Sequence, residues 1–401
     1  MSADSNRKQA IKDLVSRYGF DAEAEIAGLP LTGISFGADE LEEAIETLLS
    51  GWITMGNRVA QFERDWAAEI GVKQAVAVNS GSSALLVMLS AAIETGLLNR
   101  GDEVIVPAVG WSTSLFSIAQ VGLTPVVVDV DIDSLCLQGS FDRPVLAVHL
   151  LGALSQAKAP IIFEDACGAH GAMVGDKKAG SLGVSGAFSF FFSHHLTTGE
   201  GGMITTDDDN FADACRSIRA HGWIRERSDS AKWAADYPEL DSRFLFSSMG
   251  YNLRMTDIAG AFGIHQVPKL EQFVQTRNRN HQQWCAAVDQ LGLPLRVFHQ
   301  ASGTRHAGFA FPIMLDSNAA LDRPTLCAEL ERRGIQTRPI SGANLTAQPA
   351  FSSIPNAKIE GSLEVAERVQ RDGFFVGQSH AFGGAQLRLL LDSLREIFNQ
   401  Y

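Results

Sequence analysis

A chain of 401 residues with 45% hydrophobic content can bury a large core and is too long for one compact domain of ordinary size, so a large domain plus a smaller one is expected. The formal net charge of −13 argues against nucleic acid and anionic membrane as partners, although a local arginine cluster still accommodates a phosphorylated substrate. No run of eighteen apolar residues occurs and residues 1–17 lack the apolar core of a secretory signal, which points to the cytoplasm; Cys136, Cys167, Cys215, Cys285 and Cys327 are too scattered for a metal or cluster site and are expected as reduced core thiols.

Leu41, Ile45, Leu48 and Leu49 recur at helical spacing after Gly37 and predict a helix over 39–50. Residues 74–78 predict a short apolar strand, after which Asn79-Ser80-Gly81-Ser82-Ser83 turns into an apolar helix over 84–95. Further strands are predicted over 103–109, 125–130, 144–150, 160–164, 187–192 and 203–206. Near-continuous apolar runs separated by helices and turns suit a mostly parallel sheet covered on both faces, in which ligands bind at the carboxyl ends of strands. Residues 226–248 are polar with scattered aromatics and read as a loop over the site or at a subunit contact. A helical pattern over 257–293, interrupted at Pro268, gives way to a mixed segment, so the boundary is placed near 265: an N-terminal extension 1–30, a large domain 31–265 and a smaller C-terminal α+β domain 266–401.

Four elements at these strand ends carry chemistry. Backbone N–H groups at the Gly81-Ser82 helix start can cradle a phosphate, though an ordinary helix cap explains Ser82 and Ser83 equally well. Asp165, in Glu164-Asp165-Ala166, can hold a protonated pyridine nitrogen and make a pyridoxal-phosphate (PLP) ring an electron sink, or simply cap a following helix. Trp111, after the strand over 103–109, suits stacking on a flat ring or plain core packing. Finally, Phe188-Ser189-Phe190-Phe191-Phe192-Ser193-His194-His195 delivers two adjacent histidines ahead of the turn Gly199-Glu200-Gly201-Gly202. Adjacent side chains of an extended segment face opposite ways, so one imidazole at most serves a given site, and a satisfied buried histidine is the plain alternative. No ligand cluster for a metal accompanies them.

In this order the four elements, with Gly51-Trp52-Ile53-Thr54-Met55-Gly56 and Gly250-Tyr251-Asn252-Leu253-Arg254, resemble the DegT/DnrJ/EryC/StrS sugar aminotransferase family from about Leu31 to the C-terminus. The resemblance implies the type I PLP aminotransferase fold: a large α/β domain with a mostly parallel, seven-stranded mixed sheet flanked by helices, in a homodimer with shared sites. It assigns Gly81, Ser82 and Ser189 to the cofactor phosphate, Trp111 to ring stacking, Asp165 to the ring nitrogen and Asn252 to the partner subunit's cofactor phosphate.

One departure changes the expected reaction. The family's cofactor-anchoring lysine lies six residues before the glutamate of Gly-Glu-Gly-Gly, and here that position is His194; Lys177 and Lys178 belong to a separate turn. An imidazole cannot make the covalent link to PLP, so ordinary amino transfer is broken. The family branch with this exchange comprises the 3-dehydratases of deoxysugar biosynthesis, which serve lipopolysaccharide O-antigen. One sub-branch carries four cysteines for an iron–sulfur cluster, but residues 225–246 contain none. Stretches such as Ile218-Arg219-Ala220-His221-Gly222-Trp223 and Arg338-Pro339-Ile340 resemble the cluster-free sub-branch acting on a GDP-linked sugar, whereas Ala343-Asn344-Leu345 departs from its usual Gly-Asn.

The implied function is 3-dehydration of a nucleotide-linked 4-keto-6-deoxy hexose, taken as GDP-4-keto-6-deoxy-D-mannose, with glutamate as amino donor and release of 2-oxoglutarate and ammonia. His194 would shuttle protons, its ordinary pKa of about 6.5 suiting the task. Arg338 is the candidate for the glutamate carboxylate, with Ser193, Arg219 and His221 as further substrate contacts; a surface salt bridge explains the arginines about as well. The alternatives are a nucleotide-sugar 4-aminotransferase and, from another class, a non-catalytic protein that binds cofactor or nucleotide sugar.

Overall fold

The computed structural model describes residues 3–19 and 26–401; residues 1–2 and 20–25 of the expected N-terminal extension lie outside them. Two units emerge, each assembled from separate stretches of chain: residues 35–102 and 180–269 form most of the first, residues 103–179 and 270–401 most of the second. Among the described residues no helix is long and apolar enough to cross a membrane.

In the first unit the strands Gln74–Val78, Gly202–Thr206 and Ser185–Ser189 pair antiparallel in that order, with Val78 opposite Gly202 and Ser189 opposite Gly202 on the other side. All three are nearly wholly buried, which explains why their sequences read as parallel strands: burial on both faces removes the alternation that marks an exposed antiparallel strand. The helix Gly81–Glu94 follows the first strand, and Asn57–Ile70 packs Phe62 and Trp66 onto Phe188 and Phe190. The interval read as a polar loop instead contains the short helix Ser230–Asp236.

In the second unit Ile162–Asp165, Val145–Val148, Glu103–Pro107 and Thr124–Val128 pair in parallel, and Lys358–Glu360 extends this row at its edge. The three-residue edge strand was not among the strands expected. Arg143 ties it down by pairing with both Glu103 and Glu360, and Lys358 also bonds to Glu103. Lys177–Lys178, expected in a turn, forms a hairpin with Met173–Val174.

A separate four-stranded antiparallel sheet, Leu295–Val297, Ala310–Leu315, Gly373–Gly377 and Thr337–Pro339, lies within the C-terminal residues. Its core gathers Trp284, Phe311, Phe374, Leu390 and Leu394. As Pro268 foretold, the long helical pattern breaks there, into Asp257–Gln266, a 3-10 turn Val267–Lys269 and Leu270–Asp289.

Two stacked histidines in this region make stability depend on pH. His281 and His306 lie 3.9 Å apart, both buried. Burial pushes His281 down to about 4 and His306 well below its ordinary value. Native pKa values below the unfolded ones mean that the stabilisation is present above about pH 6.5 and is lost as acid drives protons onto the unfolded chain alone. At pH 5 the cost at His281 is roughly 2 kcal/mol, and His306 adds to it in the same direction. We expect Tm to fall between pH 7 and pH 5 in thermal denaturation, and the double variant His281→Gln/His306→Gln to flatten that slope.

Candidate active site

The first unit places an open helix start next to a histidine-bearing turn. The helix begins at Gly81, earlier than predicted, and its cap is Ser80, whose Oγ accepts the Ser83 N–H at 3.1 Å. Ser83 in turn donates its hydroxyl to Asn79 Oδ1 at 2.6 Å. Capping therefore occupies Ser80 and leaves Ser82 exposed, at the helix start where N–H groups lack intrahelical acceptors. Gly202 closes against this turn: a Cβ there would sit 2.2 Å from the Ser80 carbonyl oxygen. The Gly201-Gly202 pair in the sequence was the signal for that approach, since only glycine permits it.

Ser189, buried, ends its strand opposite Gly202 and accepts the Phe191 N–H at 3.4 Å. The expected strand over 187–192 stops here, and the histidines lie in a turn instead of extended chain. The turn is pinned by Phe190 N–H to Gly201 C=O at 2.8 Å, His194 N–H to Phe191 C=O at 3.0 Å and Thr198 N–H to Phe190 C=O at 3.0 Å. It separates the two imidazoles by burial: His195 is fully buried, while Ser193 and His194 remain partly accessible, with the Phe191 ring edge-on to His194 at 6.0 Å. Phe191 and Phe192 face outward.

Asn252 is exposed and accepts from the Arg254 guanidinium at 2.9 Å. The next residue links it to the turn before the helix Gly81–Glu94, because the Asn79 N–H donates to the Leu253 carbonyl. His221 is exposed, at φ +65°, in a tight approach to Tyr251. Arg219 is placed otherwise than as a substrate contact. Its buried guanidinium bonds Glu63 at 2.5 Å, Glu226 at 2.8 Å and the Ala77 carbonyl at 2.7 Å. Although burial alone would lower its pKa, the two carboxylates hold it above the usual arginine value, so this cation serves the fold.

The second unit presents an acidic strand end and an exposed indole. Asp165 closes Ile162–Asp165 and is buried; it accepts the Ser114 hydroxyl at 2.6 Å and the Cys167 N–H at 3.2 Å. No helix follows it, which removes the N-cap explanation. A carboxylate buried with two donors behind it is suited to a cationic ring nitrogen in front. Beneath it, His149 Nδ1 accepts the Ser155 N–H at 3.1 Å, so Nε2 carries the hydrogen and donates to Glu164 at 2.9 Å. Trp111 stands before the helix Ser112–Gln120, 62% exposed, which rules out core packing and leaves its face open for stacking. Arg338 is exposed on Thr337–Pro339, its guanidinium bonded to the carbonyl of Thr337. Ala343 sits at φ +52° where Leu345 N–H meets the Ala108 carbonyl, a left-handed position that suits the glycine expected there better than alanine.

Comparison with known proteins gives these residues a context. The DegT/DnrJ/EryC1/StrS aminotransferase family profile matches residues 35–395. GDP-4-keto-6-deoxy-D-mannose 3-dehydratase of Yersinia pseudotuberculosis is 33% identical, spanning 92% of this chain and 98% of its own. The protein of that name from Escherichia coli O55:H7 is 34% identical, over 90% of this chain and 97% of its own. A crystal structure of GDP-4-keto-6-deoxymannose-3-dehydratase with a trapped PLP-glutamate geminal diamine superimposes with a TM-score of 0.83 at 30% identity, over 92% of this chain and 100% of the other. The fold is therefore that of the PLP-dependent aminotransferases.

Proposed function

This chain belongs to the DegT/DnrJ/EryC1/StrS aminotransferase family, and we propose that it is a PLP-dependent dehydratase that removes the C3 hydroxyl of GDP-4-keto-6-deoxy-D-mannose, in the deoxysugar branch of lipopolysaccharide O-antigen synthesis. The observation that carries this reading is His194, half-buried in the turn where the family's anchoring lysine is expected. Glutamate is oxidised to 2-oxoglutarate, and its two electrons reduce C3 as the hydroxyl departs as water; the nitrogen leaves as ammonia. Relatives that share nearly the full length of the chain are dehydratases for this sugar, and one solved relative holds PLP with glutamate.

The residues suit the cofactor. Gly81, Ser82 and Ser189 are small groups at the open start of a helix, closed off by Gly202, and fit a phosphate. Asp165, buried with Ser114 behind it, fits a protonated pyridine nitrogen, and the exposed Trp111 face fits the ring. When bound, PLP supplies the electron sink for breaking a C–H or C–O bond next to the imine carbon. The chain supplies the proton carrier: His194 takes the Cα proton of glutamate, an imidazole serving first as base and then as acid. Arg338, exposed and without a carboxylate partner among the described residues, is the candidate for the glutamate carboxylate, with Ser193 and His221 toward the sugar nucleotide.

We further propose a homodimer working in the cytoplasm, with residues 31–265 and 266–401 as the large and small domains. The exposed Trp52, Ile53, Phe192, Phe246 and Met249 suit burial against a second copy, and Asn252 would reach that copy's cofactor phosphate. Incubation with PLP, glutamate and GDP-4-keto-6-deoxy-D-mannose, followed by mass spectrometry, tests the central reading. A nitrogen-free deoxy sugar with stoichiometric 2-oxoglutarate and ammonia is expected. An amino sugar would make the protein an aminotransferase, and no turnover would make it a binding protein.

A further inference from the structure

The turn that carries His194 is tied to a buried polar group distant in sequence. Thr197, itself buried, donates its N–H to Gln266 Oε1 at 3.0 Å. Gln266 is 1% exposed and ends the helix Asp257–Gln266. Its Nε2 donates to Glu40 Oε1 at 2.6 Å and to the Ser35 carbonyl at 2.8 Å. Glu40, fully buried, also receives Lys269 Nζ at 2.5 Å on Oε1 and the Gly37 N–H at 2.9 Å on Oε2. A carboxylate only accepts, so it forces the Gln266 amide to turn its N–H groups toward Glu40 and Ser35 and its oxygen toward Thr197. The amide's orientation thus follows from charge chemistry, and the Ser35 carbonyl, which also accepts from Nε2, favours the same arrangement.

We propose that Gln266 is a positioning residue for His194: the Glu40–Lys269 pair sets its amide, and the amide oxygen anchors Thr197 and with it the turn that holds the imidazole. The backbone bonds of Phe190, His194 and Thr198 stay within residues 190–201. The Thr197–Gln266 bond instead fixes the turn to a helix. An imidazole that must meet a proton on a bound substrate loses rate steeply when its aim drifts, about a hundredfold for a displacement near 1 Å.

This inference rests on His194 as the proton carrier, so its test includes a readout independent of that role. Gln266→Met keeps the volume and removes both halves of the amide. The expected results are faster amide hydrogen exchange confined to residues 190–198, and kcat for 2-oxoglutarate formation lowered about ten- to a hundredfold with KM for glutamate within about twofold. PLP binding, followed by absorbance, stays intact, and the isotope effect with α-deuterated glutamate rises because proton transfer now limits the rate. Glu40→Gln, which keeps the shape at residue 40 and removes the charge that sets the Gln266 amide, is expected to speed exchange over 190–198 and lower kcat in the same direction by a smaller factor; it carries the test alone if Gln266→Met does not fold. Unchanged exchange over 190–198, or a kcat loss matched by lost active fraction with no change in isotope effect, overturns the proposal. Faster exchange with intact kcat would leave the tether in place and remove its effect on catalysis. Full glutamate turnover by His194→Asn would instead overturn the functional reading itself.

Discussion

Replacing His194 with asparagine is expected to lower the rate of 2-oxoglutarate formation from glutamate by about three orders of magnitude, within the range for loss of a general acid–base group. That corresponds to about 4 kcal/mol of lost transition-state stabilisation. Asparagine is chosen because it preserves the turn. The bond from residue 194 to the Phe191 carbonyl uses the backbone N–H, and the flanking bonds of Phe190 and Thr198 do not involve the side chain. PLP affinity should change little, since the groups assigned to it are Gly81, Ser82, Ser189, Asp165 and Trp111. Stopped-flow absorbance with glutamate and direct assay of 2-oxoglutarate separate the two quantities. A carboxamide does not titrate near neutral pH, so any residual rate should also lose the pH dependence that an imidazole confers. If 2-oxoglutarate still forms at the original rate, another group moves the proton.

The sequence showed these positions unevenly, for physical reasons. The strand ends at Asp165 and before Gly81 were legible because an apolar run that stops at an acidic pair or at small polar residues marks a strand end; their chemistry was less so, since a helix cap accounts for the same residue types. The histidine turn was misjudged because Phe190, Phe191 and Phe192 continue the apolar run, yet the strand stops at Ser189 and the last two rings point outward. Composition cannot separate an apolar residue that packs from one that waits for a partner. Arg219 was taken as a substrate contact because its partners Glu63 and Ala77 lie far away in the chain, and pairing across that distance leaves no local trace. Gln266 was overlooked for the same reason: its bonds run to Thr197, Ser35 and Glu40. The charged edge strand Lys358–Glu360 carries no apolar pattern, since its three residues are exposed.

Asp165→Asn should reduce turnover by about 10²- to 10³-fold through a route distinct from that of His194. In the native site both Asp165 oxygens are engaged from behind, Oδ2 by the Ser114 hydroxyl and Oδ1 by the Cys167 N–H, which orients the carboxylate without neutralising it. An amide of the same shape keeps the contact with Ser114 and forfeits the negative charge. The ring nitrogen then has no anion to hold its proton, and the electron sink weakens for every bond broken next to it. The loss should therefore appear with glutamate and with the sugar alike, together with a changed absorbance spectrum of bound PLP, whereas His194→Asn leaves that spectrum near its native form. Ser114→Ala separates charge from orientation: it removes one neutral donor to a carboxylate, for which a loss of about 2 kcal/mol is expected. A far larger effect of Ser114→Ala than of Asp165→Asn would mean that the carboxylate serves the fold and that the pyridine nitrogen is met by another group.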